Sequence, residues 1–140
     1  PAILTLGTPI ARYGNTKLAD RTVDYYPPGP VSLGFLTDES FICGIMGPIG
    51  SGKSVTCVNK ICRNAKMQPI SSNGYRMSRY AIIRNTMPEL KSTTMKTWHQ
   101  WIPKGLGRWV GQGPPTHHII DHEAKIDMEI LFVALDTPDD

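Results

Sequence analysis

Gly47-Pro48-Ile49-Gly50-Ser51-Gly52-Lys53-Ser54 is the stretch on which the reading of this chain turns. It fits the phosphate-loop pattern G-x-x-x-x-G-K-[ST] at every fixed position. A nucleotide polyphosphate crowds several negative charges into a small radius, and backbone N–H groups are compact enough to meet them together. Glycines at 47, 50 and 52 let the main chain turn and approach phosphate oxygens with no Cβ in the way. Lys53 is then placed to reach the β- and γ-phosphates, and the helix expected after it points the positive end of its dipole at them. Ser54 is the expected Mg²⁺ ligand, the ion bridging the β- and γ-oxygens. The expected nucleotide-binding set is therefore Gly47, Pro48, Ile49, Gly50, Ser51, Gly52, Lys53, Ser54 and Val55, with Lys53 catalytic and with ATP and Mg²⁺ as cofactors.

The flanks support this. Ser40 to Met46 is a short apolar run of the kind a buried parallel strand needs. From Lys53 to about Met67, Val55, Val58, Cys62 and Ala65 recur at helical spacing, leaving Lys60, Arg63 and Lys66 for the solvent side. A polar connection, Gln68 to Tyr75, leads to a second strand, Arg79 to Arg84. Strand, loop, helix, strand is the order that gives a parallel sheet with a right-handed crossover.

Thr86-Met87-Pro88-Glu89 opens a further helix, with a Thr-x-x-Glu capping box and proline in the first turn. Met87, Leu90, Thr94, Trp98 and Trp101 follow at spacings of three and four, and the tryptophans read as packing rather than as a base-stacking platform. Pro103 to Thr116, with four glycines and three prolines, reads as a loop carrying Arg108. His117-His118-Ile119-Ile120-Asp121-His122-Glu123 suggests metal ligands or the acidic pair of an ATPase. Strand alternation, however, puts His118 and Asp121 on opposite faces, so the segment reads as one strand of a hairpin turning at Glu123 to Lys125. Its partner, Ile126 to Leu135, ends at Asp136 in the manner of a Mg²⁺-positioning strand, but Thr137 stands where a water-activating acid belongs.

The chain has 140 residues and a net charge of +3, enough for one domain with a real core. The charge is segregated. Between Lys60 and Arg108 ten basic residues face Glu89 alone, whereas from Trp109 onward Lys125 faces seven carboxylates. Such a basic block points to a polyanionic partner. Cys43, Cys57 and Cys62 lack metal-ligand spacing and read as buried free thiols of a reducing compartment. No apolar stretch approaches membrane-spanning length, and no leader pattern opens the chain. The first residue is proline and the last ones read as the start of a loop, so a piece of a longer protein is expected. Residues 1–38, with Tyr25-Tyr26-Pro27-Pro28-Gly29-Pro30, read as an extended arm. It serves as a tether or brings Tyr26, Phe35 or Phe41 to a nucleotide base. Residues 39–140 form the core: α/β, with a largely parallel sheet flanked by helices and a β-hairpin near the C-terminus.

Three segments together resemble the ATPase domain of tailed-bacteriophage terminase large subunits. They are Gly47 to Ser54, Arg84-Asn85-Thr86-Met87-Pro88-Glu89-Leu90-Lys91-Ser92-Thr93-Thr94-Met95-Lys96-Thr97-Trp98, and Ile130 to Asp140. Tyr26 to Pro30 is similar as well, so the resemblance runs from about Tyr25 to Asp140. It implies a P-loop NTPase core that couples ATP hydrolysis to translocation of double-stranded DNA into procapsids. The implied partners are the portal and the small terminase subunit, the assembly a homo-oligomeric ring, and the setting the cytoplasm of the infected bacterial host. It also implies that Asp136 is not the metal aspartate, the strand with the Mg²⁺ Asp and catalytic Glu lying beyond Asp140 together with the nuclease domain. Arg84 and Arg108 become candidates for transition-state or DNA contacts. One departure is that Gln68 is the first glutamine, so no glutamine precedes the phosphate loop to contact adenine. Two other readings accommodate the loop: a small-molecule kinase or other nucleotide-dependent transferase, with Pro103 to Thr116 as a lid, and a nucleic-acid-binding module with a vestigial ATPase.

Overall fold

The structure, a computed structural model, describes residues 25–136; expectations for residues 1–24 and 137–140 lie outside the described residues. Its elements are α1 (Pro30–Thr37), α2 (Lys53–Met67), β1 (Arg76–Arg84), α3 (Met87–Glu89), a π-helical turn (Leu90–Thr94), α4 (Met95–Trp101), β2 (Arg108–Val110), β3 (Thr116–Asp121) and β4 (Ile126–Ala134). The strands form one sheet in the order β1-β4-β3-β2. β4 runs parallel to β1 and antiparallel to β3, and β3 antiparallel to β2. The architecture is mixed α/β, with one parallel pair. No helix among the described residues is long and apolar enough to cross a membrane.

β4 is the centre of the core. Ile126, Met128, Ile130 and Phe132 alternate along it, all fully buried, and the helices cover that face. α2 contributes Val58, Cys62 and Ala65, as its spacing predicts, whereas Val55 is only partly buried and Lys60, Arg63 and Lys66, expected on the solvent side, are partly buried as well. The opposite sheet face carries the pairs Arg79–Glu129 and His118–Asp127. The expected hairpin is present as β3–β4, and Asp121 closes its turn: Oδ1 accepts the N–H groups of Glu123 and Ala124, each at 2.9 Å.

Three expectations are corrected. The sheet is not largely parallel, since two of its three pairings are antiparallel. Ser40 to Met46 is not a strand, and Phe41, Ile42 and Met46 are exposed. A parallel strand needs a neighbour to satisfy its backbone, and among the described residues none runs alongside this segment, so the expected strand–helix–strand unit does not close. The described part of the arm is not extended throughout, because residues 30–37 are helical with Leu36 fully buried. Pro30 sets the first helical φ, and Lys60 Nζ donates to the carbonyls of Phe35 and Asp38 at the far end. A smaller difference lies in the Pro103 to Thr116 loop. Trp109 packs edge-on to His117 and Phe132 there, and the short strand β2 forms around it.

The helix after β1 begins as its capping box predicts: Thr86 Oγ1 accepts the Glu89 N–H at 3.3 Å. It then contains a π turn, with the Met95 N–H bonded to the Leu90 carbonyl. Leu90 and Trp98 are both fully buried. At about 100° per residue they would lie about 80° apart in a regular α-helix, and the wider π turn brings them within about 20°. One surplus residue is thus absorbed so that both ends of the helix face β4. Deleting Ser92 should convert the π turn to regular helix with both side chains still inside, changing stability by less than about 1 kcal/mol. Inserting an alanine after Ser92 should swing Trp98 outward and cost about 3 kcal/mol. Urea unfolding of the two variants checks this, and a deletion as damaging as the insertion would contradict it.

Candidate nucleotide site

The Gly47 to Ser54 loop runs directly into α2. Gly52 is the N-cap at φ 78° and Gly50 lies at φ 83°, both left-handed conformations that a side chain would strain. Lys53 folds back across the loop, its Nζ donating to the carbonyls of Gly47 (2.7 Å) and Pro48 (2.5 Å) and to Ser51 Oγ (3.1 Å). The ammonium therefore sits inside the turn, where an anion would exchange with carbonyl oxygens as its partner. Ser54 is exposed in the first turn of α2, and its hydroxyl makes no hydrogen bond among the described residues. It is free to take a cation. Ile49 is fully exposed and Val55 partly buried.

Two residues that sequence reasoning passed over buttress the loop. Thr56, fully buried, donates its hydroxyl to the Gly52 carbonyl at 3.0 Å, and its own N–H reaches the same oxygen at 2.9 Å. The Tyr25 hydroxyl lies 2.6 Å from Thr56 Oγ1, and the Tyr25 ring packs edge-on to Trp101 at 5.7 Å. A threonine inside a helix and a tyrosine in an aperiodic arm carry no periodic signal. The only hint was Tyr25-Tyr26-Pro27-Pro28 as a compact aromatic–proline cluster. Of the residues suggested to meet a base, Tyr26 and Phe41 are exposed, and Phe35 lies under Lys60 at 4.6 Å.

The loop sits at one end of the sheet. Arg76 donates to the Gln68 carbonyl just past α2, so α2 ends beside the start of β1 and runs back along it. A helix of about 22 Å returns the loop toward the carboxyl ends of β1 and β4, where open α/β sheets bind ligands. Arg84 is at that end, its Nε donating to Thr94 Oγ1 at 2.9 Å. Asp136 is there too, but both its carboxylate oxygens accept the Met87 N–H, at 3.0 and 3.1 Å. Arg108 is exposed on β2, the opposite edge of the sheet, so the structure does not bring the two arginines together.

The basic block is largely committed to the fold. Arg63 pairs with Glu39, Arg79 with Glu129, Lys60 and Arg76 hold backbone carbonyls, and Lys104 lies over Trp109. Lys91, Lys96 and Arg108 are exposed and enter no ion pair among the described residues. The cysteines are free thiols, Cys62 buried and Cys43 and Cys57 partly so.

The histidine run is dispersed. His118 Nε2 meets Asp127 Oδ1 at 2.6 Å, His122 Nδ1 meets the Tyr75 hydroxyl at 2.7 Å, and His117 points into the core. Among the described residues no three potential ligands gather as a metal site. His117 Nδ1 accepts from Trp98 Nε1–H at 2.9 Å, which leaves Nε2 to donate to the Leu106 carbonyl at 2.6 Å. Burial pushes its pKa down to about 4, and neighbouring His99 adds to the effect.

No protein-family model, curated protein or solved structure matches the chain.

His117 makes stability pH-dependent. The unfolded chain protonates this residue near pH 6.5 and the folded chain only near 4, so its contribution is complete above about 6.5 and lost as pH falls toward 4. The loss is on the order of 3 kcal/mol. Denaturant unfolding between pH 7.5 and 4 should show it, and His117→Gln, which keeps one donor and one acceptor, should flatten the profile. Equal slopes in the two proteins would contradict the assignment.

Proposed function

We propose that this chain is the nucleotide-binding part of a P-loop ATPase core, from the large terminase subunit of a tailed bacteriophage. On this reading it couples ATP hydrolysis to translocation of double-stranded DNA into procapsids, as part of a homo-oligomeric ring that meets the portal and the small subunit in the bacterial cytoplasm. The observation that carries the nucleotide part is the Gly47 to Ser54 loop, with Lys53 folded across it and α2 opening behind it. The motor part rests on the Arg84 to Trp98 and Ile130 to Asp140 segments of the sequence.

The loop's own residues account for binding. The N–H groups at the start of α2, those of Lys53, Ser54 and Val55 beside the Gly52 cap, have no partner within the helix and would supply donors to the β- and γ-phosphates. Lys53 exchanges the carbonyls of Gly47 and Pro48 for phosphate oxygens, which keeps its ammonium satisfied in both states. Ser54 presents an unengaged hydroxyl to Mg²⁺, which when bound offsets charge on the leaving phosphoryl group. Asp136 holds the N-terminus of α3 rather than a cation. The metal aspartate and the catalytic glutamate would then be supplied from outside these residues.

Lys53→Ala should abolish MgATP binding measured by titration calorimetry; an unchanged affinity would remove the phosphate-loop assignment. Residues 1–140 alone should turn over little ATP in a phosphate-release assay. Brisk hydrolysis would instead make Asp136 the metal ligand.

A further inference from the structure

We propose that Tyr25 is a positioning residue for the phosphate loop, acting through Thr56 on the Gly52 carbonyl; this rests on the nucleotide-binding reading above. Thr56 has one hydroxyl proton, and geometry gives it to Gly52 O at 3.0 Å. The contact of 2.6 Å between Thr56 Oγ1 and the Tyr25 hydroxyl is then made by the tyrosine proton. The result is a directed chain, Tyr25 O–H to Thr56 O–H to Gly52 C=O, in which each bond polarises the next. It ends on the peptide that links Gly52 to Lys53.

That peptide matters because Gly52 is the left-handed N-cap of α2. Its orientation aims the N–H groups that follow, and a small rotation there misdirects several phosphate donors at once. Gly52 O receives both the Thr56 N–H and the Thr56 hydroxyl, so the helix start is held by two bonds instead of one. The strap that bears Tyr25 closes over the same point: Pro28 Cγ stands 3.5 Å from where a Cβ on Gly52 would lie. Tyr25 is itself fixed by its edge-on contact with Trp101, the last residue of α4. The segment before α1 thereby ties the loop to the helix that follows β1.

The test is MgATP affinity by calorimetry at a temperature below the thermal unfolding midpoint of every protein in the set, with those midpoints measured alongside. The set comprises the parent chain, Tyr25→Phe, Thr56→Val, Thr56→Ser and the Tyr25→Phe/Thr56→Val pair. Tyr25→Phe should weaken binding about fivefold, the worth of one hydrogen bond. Thr56→Val should weaken it at least as much, Thr56→Ser should bind like the parent, and adding Tyr25→Phe to Thr56→Val should bring no further loss. Tyr25→Phe with a lowered midpoint but unchanged affinity would reduce the tyrosine to a structural role and overturn the proposal. So would losses that simply add in the pair. If the parent chain binds no MgATP, the phosphate-loop reading fails and the positioning role falls with it, an outcome distinct from the other two.

Discussion

Burial of one face of β4 is the constraint on which the rest of the structure depends. Ile126, Met128, Ile130 and Phe132 must all leave water, and one strand supplies them in strict alternation. β4 is paired on both sides, parallel to β1 and antiparallel to β3, so the covering helices find a surface already fixed in register. α2 meets it through Val58, Cys62 and Ala65. The next helix meets it through Leu90 and Trp98, at the expense of a regular backbone. The π turn shows which effect wins: packing two large side chains outweighs the poorer hydrogen bonding of a wide turn.

The same arrangement decides what the polar residues do. Sequence counting gave an excess of positive charge between Lys60 and Arg108, but much of it is consumed by carbonyls, carboxylates and an indole ring. Asp121 closes a hairpin and Asp136 caps a helix start, although each sits where an acidic catalytic residue was conceivable. His117 is fully bonded between Trp98 and Leu106. Subtracting these uses leaves the Ser54 hydroxyl and the exposed Lys91, Lys96 and Arg108, while Lys53 and Arg84 hold loop carbonyls and threonine hydroxyls that a ligand would have to replace.

Elements whose stability is local, or is set by one buried face, were legible in the sequence. α2 follows from the spacing of Val58, Cys62 and Ala65, the hairpin from alternation on either side of residues 122–125, and the start of α3 from Thr86 and Glu89. Ser40 to Met46 was not, because a run such as Phe41-Ile42-Cys43 states that a strand would be buried if a neighbour existed and cannot supply the neighbour. β2 was hidden by glycines and prolines that surround Trp109, whose packing creates the strand. α1 was hidden by proline-rich context, although Pro30 at its first position is a helix-compatible signal. At the candidate site, the turn from Gly47 to Gly52 and its passage into α2 were legible, because glycines at 50 and 52 permit the left-handed backbone found there. Tyr25 and Thr56 were not, since their link spans thirty-one positions and exists only after folding.

The central claim is that the start of α2 binds nucleotide phosphates through its backbone. Amide chemical shifts of the ¹⁵N-labelled chain during titration with MgADP test it most directly. The account predicts saturable shifts concentrated in the N–H groups of residues 50–55, with those of β2 and β3 unmoved. Saturable shifts confined to other parts of the sheet, or no shifts at millimolar nucleotide, would contradict it.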